Sequence, residues 1–311
     1  MKGLVTKSTG SWYEVKNEVG ENMLCRIRGK FRIKGIKTTN PVAVGDWVDY
    51  HIEQGKDTGV ITHIYPRKNY LLRRSINLSK QYHILAANID RVFVTVTLVQ
   101  PETTTVFIDR ILVTAEAYNI PAVILLNKVD LLNTDELQQQ KERFINIYQK
   151  AGYPVLEVSA KTDYNIDRLK AMMKDQTSMF AGHSGSGKSS LINAVEPGLN
   201  LKIGDISQAH RQGKHTTTFA QMYDLSFGGH IIDTPGIRGF GVVDMKPDEL
   251  DSYFPEIFKH KQDCKFNNCR HLNEPGCAVK PAVETGHIPL SRYKSYLQLF
   301  DEIENEAGPY R

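Results

Sequence analysis

Residues Gly182-His183-Ser184-Gly185-Ser186-Gly187-Lys188-Ser189 fit the pattern G-x-x-x-x-G-K-[ST] at every fixed position. The chemistry of such a run is anion binding. Gly182, Gly185 and Gly187 permit the backbone angles that turn successive N–H groups onto phosphate oxygens. Leu191, Ile192 and Ala194 follow, which predicts a helix beginning at Lys188, with Ser190 in its first turn and its positive end toward the anion. Lys188 is expected to pair with the outer phosphates as a point charge, and the Ser189 hydroxyl to ligate Mg²⁺. Alone, the octapeptide also fits ATPases, kinases or a plain Gly/Ser turn.

A base reader lies upstream at Asn127-Lys128-Val129-Asp130. The Asp130 carboxylate can accept from guanine N1–H and from the exocyclic amine. Adenine lacks that pair of donors, and a buried carboxylate left unpaired is costly, so the site is expected to reject ATP. Ser159-Ala160-Lys161 supplies a backbone N–H for guanine O6. Downstream, Asp233-Thr234-Pro235-Gly236 offers a carboxylate for the Mg²⁺ shell and the Gly236 N–H for the γ-phosphate, whose loss would release the loop. Gly213–Thr218 lies between the phosphate loop and this motif. One of Thr216, Thr217 and Thr218 is expected to reach Mg²⁺ and the γ-phosphate, and Thr217 is the choice.

Each motif is weak alone, since Asn and Asp also favour ordinary turns. Together they fall in one consistent cyclic order. An ordinary GTPase begins with the phosphate loop and ends with the base reader, whereas here the base reader comes first, so the chain is a circular permutation. Ile237 follows Gly236, where Ras-like proteins carry a glutamine that orients the attacking water. Intrinsic hydrolysis is therefore expected to be slow. His215 is the candidate to position or deprotonate water, and a solvated loop histidine is the alternative.

These motifs need strand ends to hold them. Ala122–Leu126 is a continuous apolar run, the pattern of a buried parallel strand, and places Asn127 where open α/β sheets bind ligands. Pro154–Val158 does the same for Ser159, and Gly229–Ile232 for Asp233. Helical patterns follow the strand-like run 91–99, over Thr105–Tyr118, and again over Asp135–Ala151, with Thr134 as the cap and Gly152 past the end. Alternating strands and helices predict a mainly parallel sheet covered on both faces over about residues 71–245.

Cys264, Cys269, His271 and Cys277 give three thiolates and one imidazole. That is a complete tetrahedral set for one structural Zn²⁺ per chain, with no position left open for catalysis. Incidental reduced cysteines beside a surface histidine are the alternative. Lys261, Lys265, Arg270 and Lys280 surround the cluster and suit a nucleic-acid contact. Leu290, Tyr293, Leu297 and Phe300 recur at helical spacing, as a core-facing stripe does.

Residues 1–70 carry short alternating segments at Gly3–Lys7, Trp12–Lys16, Met23–Lys34, Asp46–Ile52 and Gly59–Tyr65, which suit a small barrel of the OB type. In the third segment Arg26, Arg28, Lys30, Arg32 and Lys34 alternate with Cys25, Ile27, Gly29, Phe31 and Ile33. A strand has period two, so the cations share one face. Acids on a neighbouring strand, such as Glu14 or Glu53, would offset the repulsion, or RNA would. A soluble lysine-rich face is the alternative.

The chain has 311 residues, enough for several domains, with a formal charge of +4 and pI ≈ 8.7. No apolar run is long enough to span a bilayer, no cleavable signal pattern opens the chain, and 4 cysteines, three of them clustered, do not make a secreted disulfide framework. A cytoplasmic protein without a membrane partner is expected. Nothing resembles a coiled coil, and a monomer is the expectation.

A basic OB-like N-terminus, a permuted GTPase and a Cys3His tail together resemble the small-ribosomal-subunit biogenesis GTPase A (RsgA) family of bacteria over essentially the whole chain. Ser186 stands where the family often has valine, outside the fixed positions of the loop. The resemblance implies three domains: an all-β RNA-binding barrel over 1–70, the GTPase over 71–245, and a mainly helical zinc-binding domain over 246–311. It also implies the partners, GTP and GDP with the small ribosomal subunit and its rRNA. The subunit would stimulate hydrolysis, which in turn would be linked to release of an assembly factor and of the GTPase itself. The permutation would connect Asp233–Gly236 to the zinc domain by a short tether. A P-loop ATPase or kinase, and an RNA-binding scaffold with little turnover, are the competing readings.

Overall fold

The computed structural model describes residues 1–27, 41–74, 82–199, 220–233 and 245–306. The strands are β1 (Lys2–Ser8), β2 (Tyr13–Asn17), β3 (Asn22–Ile27), β4 (Trp47–Ile52), β5 (Gly59–Ile64), β6 (Tyr70–Arg74), β7 (Tyr82–Ala87), β8 (Arg91–Val96), β9 (Ala122–Leu126), β10 (Val155–Glu157), β11 (Thr177–Ala181), β12 (Gln221–Asp224) and β13 (His230–Asp233). The helices are α1 (Thr105–Ala117), α2 (Asp135–Lys150), α3 (Ile166–Met173), α4 (Lys188–Val195), α5 (Pro255–Lys261), α6 (Val279–Glu284) and α7 (Leu290–Glu306). The chain forms two compact units. One is Met1–Val92, Asp167–Phe180 and Ile192–Gly239; the other is Phe93–Ile166, Ala181–Leu191 and Phe240–Arg311.

In the first unit β1, β2 and β3 form an antiparallel meander, β3 runs parallel to β5, and β5 pairs with β4, which returns to β1. The ladder closes on itself, so the predicted five-strand barrel has no free edge there. Alternation explains the closure: Val5, Tyr13, Val15, Cys25, Val48, Tyr50 and Ile61 point inward and form one buried cluster. Gly59 is required where β5 crosses β3, because a Cβ there would sit 2.7 Å from Cys25 Sγ. A buried Asp46 is clamped by Arg67, with Nε to Oδ1 and Nη2 to Oδ2 both 2.6 Å. Cys25 lies inside and Arg26 outside, as the period-two pattern requires. Arg26 meets Glu53 at 2.6 Å, one of the two acids expected to offset the cationic row. Arg28, Lys30, Arg32 and Lys34 lie outside the described residues.

The same unit holds the antiparallel ribbon β6–β7, which the periodicity of the sequence did not predict. It also holds β11 parallel to β13, with β12 as the antiparallel partner of β13 and a neighbour of β1.

In the second unit β10 runs parallel to β9, which neighbours β8. Val123, Ile124, Leu125 and Leu126 are all buried, which is why β9 reads as an unbroken apolar run. Thr104 caps α1, and Thr134 Oγ1 accepts from Leu137 N at 3.3 Å to cap α2, while Gly152 beyond its end adopts φ 94°. The C-terminal helices pack on α1: Val113 joins Leu250, Phe254, Ile257, Tyr296, Leu299, Phe300 and Ile303 in one core. The stripe expected on α7 faces the core at three of its four positions: Phe300 is buried, Tyr293 and Leu297 pack against the core, and Leu290 is 55% exposed. Tyr296, Leu299 and Ile303 complete the buried face.

One buried charge cluster joins these helices. Arg292 on α7 is 0% exposed and bonds Asp109 Oδ1 on α1 at 2.7 Å and Glu256 Oε1 on α5 at 2.6 Å. Its guanidinium lies 4.6 Å from the Phe254 ring centre. Burial opposes the charge, and the two carboxylates more than offset it, holding Arg292 protonated. Removing one acid while leaving the cation buried is expected to be strongly destabilising. Asp109→Asn, nearly isosteric, should lose about 3–5 kcal/mol in urea unfolding. A loss below about 1 kcal/mol would mean the packing of α7 does not depend on this pair.

Candidate functional site

The phosphate loop leaves β11 and enters α4, the helix expected to begin at Lys188. Gly182, Gly185 and Gly187 have φ of 145°, 83° and 93°. Space adds to the conformational demand: a Cβ at Gly182 would lie 2.4 Å from Thr95 O, and one at Gly187 2.3 Å from Asn127 Nδ2. Lys188 Nζ donates to Gly182 O at 2.8 Å and to His183 O at 2.7 Å. Ser186 is fully buried, and its hydroxyl donates to His183 O at 2.9 Å. Ser184 is exposed, Ser189 is buried and Ser190 half-buried.

The base-reading motif meets this loop directly. Asn127 directly follows β9, and its Nδ2 donates to Ser186 O at 2.9 Å. Its Oδ1 is buried without a hydrogen-bond partner among the described residues, an acceptor that a bound donor would satisfy. Lys128 adopts a left-handed backbone, φ 62°, and its ammonium donates to Gly185 O at 2.8 Å and to Gln100 O. Burial pulls this ammonium below the ordinary lysine range. Val129 and Asp130 begin a single 3-10 turn, Val129–Leu131. Asp130 Oδ1 accepts from Ser159 Oγ at 2.7 Å, and Ser159 Oγ accepts from Thr162 N at 3.2 Å. Asn127 to Asp130 and Ser159 to Lys161 are therefore brought together with Gly182 to Ser189. Ala160 is half-buried and Lys161 exposed. Asp233 ends β13, at a strand terminus as expected. His215, Thr217 and Gly236 lie outside the described residues.

Sequence reasoning passed over the segment between β8 and α1. Thr103 Oγ1 lies 2.6 Å from His183 Nε2, and Pro101 lies where a Cβ on Gly185 would be 3.2 Å from its Cδ. Thr97 Oγ1 donates to Pro101 O at 2.5 Å. The available signal was the position: this segment leaves the C-terminal end of an apolar strand, where α/β sheets bind ligands.

Cys264, Cys269, His271 and Cys277 form a second site, their ligand atoms all within 4.8 Å of one another. Cys277 Sγ and Cys264 Sγ lie 3.5 and 3.7 Å from His271 Nδ1. A tetrahedral ion with bonds of about 2.1 and 2.3 Å spaces such donors at roughly 3.5–3.8 Å, so the geometry fits a metal ion. Burial first, and then the neighbouring Cys277 and Cys264, push the Cys269 thiol up to about 12, so a thiolate there needs a cation beside it. His271 is fully buried with φ 61°, and its Nε2 faces Asp251 Oδ2 at 3.3 Å, the outer partner that orients a ligating imidazole. Lys261 holds that carboxylate at 2.6 Å. Tyr293 and Tyr296 on α7 donate to the carbonyls of His271 and Arg270 at 2.6 and 2.7 Å.

A family model described as RsgA GTPase matches residues 64–243, and one described as RsgA N-terminal domain matches residues 2–61. A protein of Christiangramia forsetii named small ribosomal subunit biogenesis GTPase RsgA is 58% identical over 313 residues, covering 100% of this chain and 98% of that protein. A Flavobacterium johnsoniae protein of the same name is 57% identical, covering 100% of this chain and 95% of that one. The crystal structure of YjeQ from Thermotoga maritima superposes with TM-score 0.80 at 38% identity, over 97% of this chain and 98% of that chain. YloQ, described as a circularly permuted GTPase, gives TM-score 0.76 at 31% identity, over 99% and 96%.

The Ser159–Asp130 bond has a measurable consequence. A hydrogen bond to a charged group contributes about 1.5–3 kcal/mol, so Ser159→Ala should weaken fluorescent GDP binding roughly tenfold or more while unfolding stays cooperative. Unchanged affinity would show that this bond does not set the carboxylate.

Proposed function

The chain belongs to the RsgA family of small ribosomal subunit biogenesis GTPases, and on that premise we propose how its own residues bind GTP, hydrolyse it and answer to the ribosome. It is a GTPase, a hydrolase acting on GTP, with a role in ribosome biogenesis. The observation that carries the site assignment is the 2.9 Å bond from Asn127 Nδ2 to Ser186 O, which supports a single nucleotide lying across both motifs.

In this reading Asp130 accepts from guanine, with Ser159 fixing its carboxylate and the Ala160–Lys161 backbone facing O6. Lys188 exchanges its loop carbonyls for the outer phosphates, and the N–H groups of His183 to Ser190 cradle them. Ser189, Thr217 and Asp233 offer the hard oxygen donors that Mg²⁺ takes, and Mg²⁺ bound there neutralises charge on the outer phosphates. His215 positions or deprotonates the attacking water that Ile237 cannot hold, and Gly236 reads the γ-phosphate. Cys264, Cys269, His271 and Cys277 hold one structural Zn²⁺, with Asp251 orienting the imidazole.

The cationic row Arg26, Arg28, Lys30, Arg32 and Lys34 meets rRNA of the small subunit. The Arg26–Glu53 pair lies at the surface, where water and salt weaken it, so a phosphate can displace it. The subunit stimulates hydrolysis, and loss of the contact at Gly236 passes through the short tether to the zinc domain and releases the protein from the particle. No helix among the described residues is long and apolar enough to cross a membrane. A cytoplasmic monomer belongs to this reading.

Two measurements test it. GTP turnover should rise strongly with small subunits and not with large ones, and His215→Ala should lower the stimulated rate about a hundredfold with nucleotide binding intact. Tight binding without stimulation would turn the reading to a scaffold that holds GTP without useful turnover. Metal analysis should give one zinc per chain, lost in Cys277→Ser together with hydrogen-exchange protection over residues 264–277. Retention of zinc by that variant would remove Cys277 from the ligand set.

A further inference from the structure

We propose that the turn between the first two cysteines of the metal cluster, with the cavity beside it, takes an unpaired RNA base; this rests on the rRNA-binding reading above. Lys265, Phe266, Asn267 and Asn268 are all exposed, Phe266 by 40%. The turn is nonetheless held firmly. Cys264 and Cys269 anchor its ends in the cluster, Cys269 N donates to Phe266 O at 3.1 Å, and Lys265 N donates to Gly276 O at 3.0 Å. Gly276, at φ 76°, leaves room for the Lys265 side chain, since a Cβ there would lie 2.9 Å from Lys265 Cβ. A cavity of about 280 Å³ opens beside the turn, lined among others by Asp248, Lys261, Asn267, Asn268, Arg270 and Tyr296.

The chemistry of this surface selects its ligand. Neither Asn267 nor Asn268 makes a side-chain hydrogen bond among the described residues. Each amide presents a donor beside an acceptor, the complement of a base edge. An exposed phenylalanine offers a stacking face to an unstacked base. The cations of the cavity are already matched: Arg270 meets Asp248 at 2.8 Å and Lys261 meets Asp251 at 2.6 Å. A nearly neutral cavity favours a base over a phosphate. The phosphate falls to the exposed Lys265, whose ammonium sits 5.5 Å from the centre of the Phe266 ring. A paired base has its edge occupied and cannot enter, so the partner is a loop, bulge or end of single-stranded RNA.

The test uses the full, zinc-loaded chain and fluorescent homopolymers of A, C, G and U of about ten nucleotides, with a duplex RNA of matched length, read by anisotropy at fixed salt. Single strands should bind more tightly than the duplex. Phe266→Ala should weaken single-strand binding about fivefold or more. The double variant Asn267→Ala, Asn268→Ala should flatten the preference among the four homopolymers. Zinc content and GDP binding should match wild type in both variants. Single-strand affinity unchanged by Phe266→Ala, or equal affinity for the duplex, would overturn the proposal. So would variants that lose the small subunit while keeping their RNA affinity, which would make the turn a protein-binding surface. Stimulation of wild-type turnover by small subunits is measured in parallel. Its absence would overturn the ribosomal reading, whereas the oligonucleotide arms bear on the turn alone.

Discussion

A loop that turns its N–H groups toward an anion must leave its carbonyls facing the protein, and those carbonyls need donors. Here the donors come from the motifs themselves. Lys188 takes the carbonyls of Gly182 and His183, Asn127 takes that of Ser186, and Lys128 takes that of Gly185. The base reader and the phosphate loop are thus one hydrogen-bonded body, although Asn127 and Lys128 precede the loop by more than fifty residues in the chain. The glycines follow from this requirement. Gly187 has no Cβ because the Asn127 amide occupies that space, and Gly182 has none because Thr95 O does. A buried polar loop tolerates such close approach only when every partner is in register.

Helix α1 carries the consequence outward. Its start and the segment just before it sit beside the loop, with Thr103 against His183 and Phe107 edge-on to the same ring at 5.6 Å. One to two turns later Asp109 holds the buried Arg292, and Arg110 meets Glu302 at 2.5 Å. Both partners lie on α7, whose Tyr293 and Tyr296 hold the backbone beside the metal ligand His271. A continuous chain of hydrogen bonds and packed rings therefore connects the phosphate loop to the Cys3His cluster.

The fold was legible wherever periodicity carries information. The period-two alternation of Val5, Tyr13, Val15 and Cys25 marked the barrel, the unbroken Ala122–Leu126 run marked a buried strand, and Thr134 and Gly152 marked the ends of α2. The ribbon β6–β7 escaped because its identity as a strand pair lies in cross-strand registry, Tyr70 with Ala87, and not in local alternation. The stripe on α7 was legible at Tyr293, Leu297 and Phe300, though not in full. Helical spacing fixes which residues share a face, but Tyr296, Leu299 and Ile303 became the buried set only because α1 and α5 cover that side.

By itself the sequence carried the motifs: a phosphate-loop pattern, a base-reading tetrapeptide, a donor set that fits a metal, and the permuted order in which they occur. These follow from residue type and short spacing, which are local. The tertiary structure alone decided the partners. Thr103 beside His183, Ser159 on Asp130, Asp251 behind His271, and Arg292 between Asp109 and Glu256 are each contacts between residues distant in the chain. Such contacts depend on where backbone elements cross. A hydroxyl or carboxylate looks the same in sequence whether it faces water or a buried ligand, and only burial makes its hydrogen bond obligatory.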